Sequence, residues 1–301
     1  MQEKNAISGW LVIDKEEGMT STQVVSRLKH IFHPTKIGHA GTLDPFATGI
    51  LPIAFGQATR TVPFVMDGLK TYVFSLRFGQ ATDTEDKTGQ VIAQSDKRPT
   101  RADIEAVLPC FVGDIEQKPP MYSALKVKGK RAYDLARQGQ AVDLPARRIH
   151  IESLRLLSYE GDVATCEVVC GKGTYVRSLG RDMAVKLGTV GHLTALRRTA
   201  CGVFNESQKI FLAQLEKIEY TPSTWDEFIP IQAVLTDILE LALTDHEAQA
   251  VSCGQALKTA DVVKRLGRLP EGTLLKATFE GKLIAFIQLR EGRFRPTRVF
   301  K

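Results

Sequence analysis

A mixed α and β chain in two parts is what this sequence predicts: a large body of alternating strands and helices, then a small β-rich module. Three observations carry it. Residues 70–79 (KTYVFSLRFG) alternate with the period of two of a strand, placing Tyr72, Phe74 and Leu76 on one face. Val24, Val25, Leu28, Ile31 and Phe32 recur as one helical stripe. Residues 273–279, 283–289 and 294–300 are short apolar runs separated by glycine turns, the pattern of a small β-barrel-like module. With 301 residues and 43% apolar composition, there is ample material for a buried core.

The elements follow in order. Residues 9–14 (GWLVID) form a short apolar strand, and the chain turns at Gly18. Thr20 or Ser21 caps a helix running to about Phe32. Residues 38–52 (GHAGTLDPFATGILP) are a shaped loop that closes on the apolar run Ile50-Leu51-Pro52-Ile53, a strand entering a core. Residues 57–68 read as a helix interrupted near Pro63. After strand 70–79, residues 81–89 (ATDTEDKTG) are acidic and turn-rich. Asp83, Glu85 and Asp86 lack the EF-hand spacing for calcium, so a solvated loop is expected. Thr100, with Asp103 three residues on, makes a capping box for a helix through about Cys110. Residues 117–139 are polar and basic, broken by Pro119-Pro120 and turned at Gly129, with a short helix over 131–137. They read as an inserted flap. Residues 148–159 and 162–170 form a hairpin joined at Glu160-Gly161. Gly171-Lys172-Gly173 leads into a helix over about 174–187, and 190–204 is strand-rich. The acidic stretch 221–232, with Pro222 and Pro230, is the linker. The expected division is 1–229, with an insertion at about 117–148, and 230–301.

Composition excludes several classes. No apolar stretch approaches the roughly 18 residues that span a bilayer. The N-terminal residues lack the apolar core of a signal peptide, so a cytoplasmic protein without membrane association is expected. Five cysteines and six histidines form no CxxC, HExxH or comparable cluster, which argues against a disulfide framework and a metal site. The net charge is +6 and is blocked. Residues 122–150 hold seven Lys/Arg against two acids, 171–198 six against one, and 258–301 eleven against four, while 216–247 hold one Lys against eight acids. A directed positive surface suits a polyanion, and nucleic acid is the expected partner.

The loop 38–52 carries the chemistry. Gly38, Gly41 and Gly49 permit unusual backbone, and Pro45 and Pro52 fix it. Its one carboxylate, Asp44, precedes Pro45 and is biased towards an extended conformation. By local chemistry alone Asp44 is either a turn starter or an acid built into an anchored loop. Its surroundings resemble the catalytic motif of the TruB-type pseudouridine synthases, which act on the tRNA T-loop. The aspartate of that family's GxLDPxAxGxLP motif is catalytic and matches Asp44. The resemblance extends over most of residues 8–205. GWLVIDKEEGMTS is similar to the family's N-terminal signature. KTYVFSLRFGQATDTEDKTGQ is similar to the motif that sets a tyrosine, here Tyr72, against the target base. KPPMYSALKVKGKRAYDLARQG resembles its RNA-gripping insertion. GKGTYVRSLGRDM supplies Tyr175 and Arg177, HLTALRRTACGVF supplies Leu196 lining the pocket, and His39 matches the histidine associated with flipping the nucleotide. The C-terminal module resembles the small PUA-like RNA-binding barrel.

The resemblance implies an α+β fold with a central mixed, largely antiparallel sheet flanked by helices, and no cofactor or metal. It implies isomerisation of uridine to pseudouridine at position 55 of the tRNA T-arm stem-loop, with no obligate protein partner. Asp44, Tyr72 and Arg177 are the expected catalytic residues; His39, Tyr72, Tyr175 and Leu196 are the expected substrate-binding ones. The residue types fit that chemistry. A carboxylate serves as nucleophile or as base towards the sugar. Arg177, a planar permanent cation, can pair with it, or it can contact phosphate. Tyr72 and Tyr175 offer rings and hydroxyls, or are core aromatics. His39 can fill the space a flipped base leaves, or it is a neutral loop histidine. The competing reading is a tRNA-folding chaperone that binds without chemistry. A metal nuclease is disfavoured because no carboxylate cluster suits a metal.

Overall fold

Strand β1 (Gly9–Lys15) is buried along its whole length, and β3 (Thr48–Phe55) along all but its first residue. Continuous apolar runs of this kind pack on both faces of a sheet, whereas the alternating run of β4 (Lys70–Phe78) packs chiefly on one. The computed structural model describes residues 5–122, 126–127, 130–131, 144–217 and 228–300. The remaining strands are β2 (Ile37–His39), β5 (Gln80–Thr82), β6 (Val91–Gln94), β7 (Gly113–Gln117), β8 (Lys126–Val127), β9 (Lys130–Arg131), β10 (Arg147–Glu160), β11 (Val163–Cys170), β12 (Gly191–Cys201), β13 (Phe204–Asn205), β14 (Lys209–Phe211), β15 (Glu240–Ala242), β16 (Leu274–Phe279), β17 (Lys282–Arg290) and β18 (Arg293–Val299). The α-helices are α1 (Ser21–Phe32), α2 (Val62–Asp67), α3 (Arg101–Val107), α4 (Val176–Lys186), α5 (Leu212–Leu215), α6 (Asp245–Ser252) and α7 (Thr259–Leu266).

Among the described residues, ten strands form one sheet in the order β14-β1-β3-β12-β4-β11-β10-β7, with β2 on β3 and β13 on β12. β1 with β14 and β3 with β12 are parallel, and the other pairs are antiparallel, so the sheet is mixed and largely antiparallel as expected. Val24, Leu28 and Phe32 of α1, Ile104 of α3 and Leu179 and Met183 of α4 cover one face over Leu11, Ile13, Leu51, Phe74 and Leu76. The expected helix starts hold: Thr20 closes a capping box on Gln23, and Thr100 closes one on Asp103.

The other face of β1 and β3 presents Trp10, Val12, Ile50 and Ala54. Together with Phe204, these pack against Val234, Leu235, Leu283, Phe286 and Phe300 from the C-terminal part of the chain. Trp10 and Phe204 meet at a tilt with ring centroids 5.3 Å apart, and Phe64 meets Phe286 at 5.1 Å. The C-terminal part also has its own core, in which α6 and α7 pack Val251 and Val262 against Leu275, Ile287 and Phe294 of the sheet β15-β16-β17-β18. The three apolar runs of the sequence are β16 to β18. The two helices between β15 and β16 are additions that the strand pattern of this part of the sequence does not show.

Two sequence expectations need correction. Residues 57–68 are not one helix broken at Pro63: a 3-10 turn (Gly56–Arg60) ends at Thr61, and Pro63 lies in the first turn of α2, where its missing donor costs nothing. The hairpin turns at Gly161 (φ 61°) and Asp162, one residue later than read. The short helix expected over 131–137 and most of the basic insertion lie outside the described residues, as does most of the linker.

Candidate active site

Three segments hold the Asp44 loop. From α1, Ser21 Oγ accepts the Leu43 N–H (2.9 Å) and lies 3.3 Å from the Leu43 carbonyl. From the β1–α1 turn, the Gly18 N–H donates to the Pro45 carbonyl (2.8 Å). From β1, the buried Lys15 Nζ donates to the carbonyls of Met19 (2.7 Å), Glu16 (2.9 Å) and Pro45 (3.2 Å). Gly49 (φ +100°) is required where the loop meets β12, because any side chain there would strike the Arg198 backbone. Burial pushes the Lys15 amine down to about 8, with Asp44 pulling the other way.

That value lies below the ordinary 10.5, so between the two the unfolded chain binds more protons and the Lys15 contribution to stability rises with pH. Measured against Lys15→Met, the wild type is expected to gain about 2 kcal/mol between pH 6.5 and 9.5. A stability difference that stays flat across that range would exclude a buried ammonium at Lys15.

Asp44 meets Arg177 in a two-pronged ion pair: Nε donates to Oδ2 (2.8 Å) and Nη2 to Oδ1 (3.1 Å). Arg177 sits in the first turn of α4, directly after Tyr175 and Val176, and its side chain is only 4% exposed, against 34% for Asp44. The guanidinium also donates to the carbonyls of Thr84 and Tyr122 (both 2.9 Å), and Asp86 lies 3.8 Å from its Nε. The acid is thus paired, aimed and half open, while its partner is locked beneath it.

The loop 81–89 is not the solvated acidic turn expected from its composition. Asp86 is buried and accepts from Thr84 Oγ1, the Thr88 N–H and Thr88 Oγ1 at 2.6–2.9 Å. Glu85, held at φ 64°, pairs with Arg181 and accepts from Ser178 Oγ (3.1 Å); burial raises its pKa. Both carboxylates face cations of α4, one turn apart.

Above Asp44 opens a cavity of about 310 Å³. Its lining brings together Asp44, Tyr72, Tyr175, Arg177 and Leu196, five of the six residues selected from sequence. Tyr72 comes from β4, Leu196 from β12 and Tyr175 from the cap of α4, whose backbone is clasped by Gln117. Burial pushes the Tyr72 hydroxyl up to about 12, so it is protonated at neutral pH. His39 is the sixth. It ends β2, outside the cavity lining, with its Nδ1 buried and unpartnered among the described residues; burial and then Arg198 lower its pKa, so it is the neutral imidazole. Lys70, Lys172 and Arg198 also line the cavity and were not selected from sequence. The only available signal was position: Lys70 stands two residues before Tyr72, and Arg198 two after Leu196, on the same strand faces. No group of three metal-ligating side chains gathers among the described residues, and no described helix is long and apolar enough to cross a membrane.

Two family models match the chain: the N-terminal domain of TruB family pseudouridylate synthases over residues 29–176, and the tRNA pseudouridylate synthase B C-terminal domain over 177–241. A tRNA pseudouridine synthase B of Rhodospirillum rubrum is 48% identical over 297 residues, covering 98% of this chain and 96% of its own. One from Caulobacter vibrioides is 45% identical, covering 99% and 97%. Among solved structures, an H/ACA ribonucleoprotein bound to a substrate RNA containing 2′-deoxyuridine shares the fold at TM-score 0.73 and 23% identity, covering 97% of this chain and 85% of that one. A chain of a Cbf5–Nop10–Gar1 complex matches at TM-score 0.73 and 25% identity, covering 97% and 84%.

Proposed function

From the premise that this chain belongs to the TruB family of pseudouridylate synthases and is an enzyme that isomerises uridine in tRNA, we propose that its target is the T-loop uridine at position 55, with Asp44 as the catalytic aspartate. The observation that carries the residue assignment is the Asp44–Arg177 pair at the base of a cavity walled by Tyr72, Tyr175 and Leu196. A stacked uridine cannot reach Asp44 unless it leaves the RNA stack, at a cost of a few kcal/mol. The two tyrosine rings and Leu196 provide the apolar slot that receives it. His39, neutral and beside the loop, fills the space the base leaves behind. Asp44, aimed by Arg177, attacks as nucleophile or takes a sugar proton as base. The protonated Tyr72 hydroxyl is available for proton transfer. The C-terminal module, of PUA type in this reading, holds the rest of the tRNA through phosphate contacts, and the protein works in the cytoplasm.

A complete acid–arginine pair favours chemistry over chaperone binding, which needs neither member. The test is incubation of an unmodified tRNA transcript, and of a prefolded T-arm stem-loop, with mapping of pseudouridine. Conversion at position 55 alone is expected for both RNAs. Modification elsewhere, or of the full tRNA only, would overturn the T-arm assignment.

A further inference from the structure

The charged residues lining the cavity are four cations, Lys70, Lys172, Arg177 and Arg198, and one carboxylate, Asp44. Arg177 is matched by Asp44, and the exposed Lys172 by Asp67 (2.8 Å). Lys70 donates to the carbonyls of Met66 and Gly68, and its pKa is lowered by burial. Arg198 is different. It is 1% exposed, and it cannot shed its proton. Among the described residues no carboxylate lies within salt-bridge distance of it. Its Nε donates to the Ile50 carbonyl (2.7 Å) and its Nη2 to that of Gly41 (3.2 Å). Burying an uncompensated guanidinium is costly, so its charge partner should arrive with the substrate.

Position identifies that partner. Arg198 stands directly across the sheet from Tyr72 and two residues beyond Leu196, so it lies in the layer proposed to receive the base. A phosphate, tied to backbone on both sides, fits the exposed Lys172 at the rim better than a cation at 1% exposure. Resting on the site assignment above, we infer that Arg198 is a further catalytic residue, the cation that stabilises negative charge developing on the uracil ring. In the isomerisation the C1′–N1 bond breaks with its electron pair passing to the base. A C1′–C5 bond then forms, the C5 proton leaves and N1 accepts a proton, with no change of oxidation state. The detached uracil is the anion for which Arg198 is placed.

The experiment compares single-turnover rate, affinity at several salt concentrations and thermal stability for wild type, Arg198→Gln, Arg198→Lys and Asp44→Asn. Arg198→Gln is expected to lose on the order of 10²–10³-fold in rate, as when one charge-stabilising donor is removed from an active site. Its affinity and salt slope should be unchanged, and Arg198→Lys should retain more rate. A folded Arg198→Gln with wild-type rate overturns the inference. So does one that keeps its rate but loses affinity with a salt slope smaller by about one, the mark of a phosphate contact. Should Arg198→Gln not fold, Arg198→Lys decides. A buried lysine loses its proton as pH rises and arginine does not. The ratio of wild-type to variant rate should therefore climb from pH 7 to 9. Lys15, His39, Lys70, Tyr72, Asp44 and Arg177 surround the position in both proteins and respond in the variant only through the charge lost at 198, so a constant ratio overturns the inference. An active Asp44→Asn overturns the site assignment and this inference with it. An inactive Asp44→Asn beside a fully active Arg198→Gln overturns the Arg198 inference alone.

Discussion

Asp44→Asn is expected to lower pseudouridine formation by at least ~10³-fold while the protein still folds and binds tRNA. The replacement keeps the shape of the side chain but removes the charge that makes it nucleophile or base. Its cost to the fold is bounded. Arg177 loses a carboxylate yet keeps the Thr84 and Tyr122 carbonyls and a nearby Asp86, so about 1.5–3 kcal/mol is at stake, the worth of a charged hydrogen bond. Single-turnover mapping on a transcript reads the rate, and a binding isotherm on the same sample reads affinity. A wild-type rate in the purified variant would remove Asp44 from the mechanism. Loss of binding in step with rate would make it a structural residue instead.

Truncation at Ile231 is expected to destabilise the catalytic body severely, rather than to separate RNA affinity cleanly from chemistry. Trp10, Val12, Ile50, Ala54 and Phe204 are covered by Val234, Leu235, Leu283, Phe286 and Phe300, and the cut strips that cover away. Exposing even a few such side chains costs about 1.5–3 kcal/mol each, against a total domain stability of only about 5–15 kcal/mol. Poor soluble yield and a collapsed melting transition should result, with activity lost even on a short T-arm. A truncated protein that melts like the full chain would show that the shared core contributes little. Affinity is better tested with the module in place. The exposed Lys282 and Arg293 can be changed to glutamine without touching that core. For each of the two that pairs with a phosphate, the change should flatten the slope of log affinity against log salt by about one for full tRNA and leave the short T-arm unaffected.

The sequence by itself determined the local structure around the site. The glycine–proline loop carrying Asp44, the Thr20 and Thr100 capping boxes, strand β4 and three of the four strands of the C-terminal sheet are all set by residues within a few positions of one another. Backbone sterics, capping bonds and hydrophobic period act over that range, so they can be read along a chain. The motif resemblance added which residues should converge, and Asp44, Tyr72, Tyr175, Arg177 and Leu196 do line one cavity.

Only the tertiary structure decided where polar side chains are buried. Glu85 and Asp86 look like a solvated run because the cations they face, Arg181 and Arg177, arrive on α4 more than ninety positions later. Arg197 and Arg198 are adjacent and alike in sequence. One reaches out to Asp14 and Glu206, and the other turns inward, because successive strand residues point to opposite faces of β12. Which face is the inner one depends on what packs against it. In the same way, the double burial of β1 depends on Phe286 and Phe300 at the far end of the chain. Burial is a property of the assembled layers, and for these residues the covering layer comes from segments too distant in sequence for any local pattern to record.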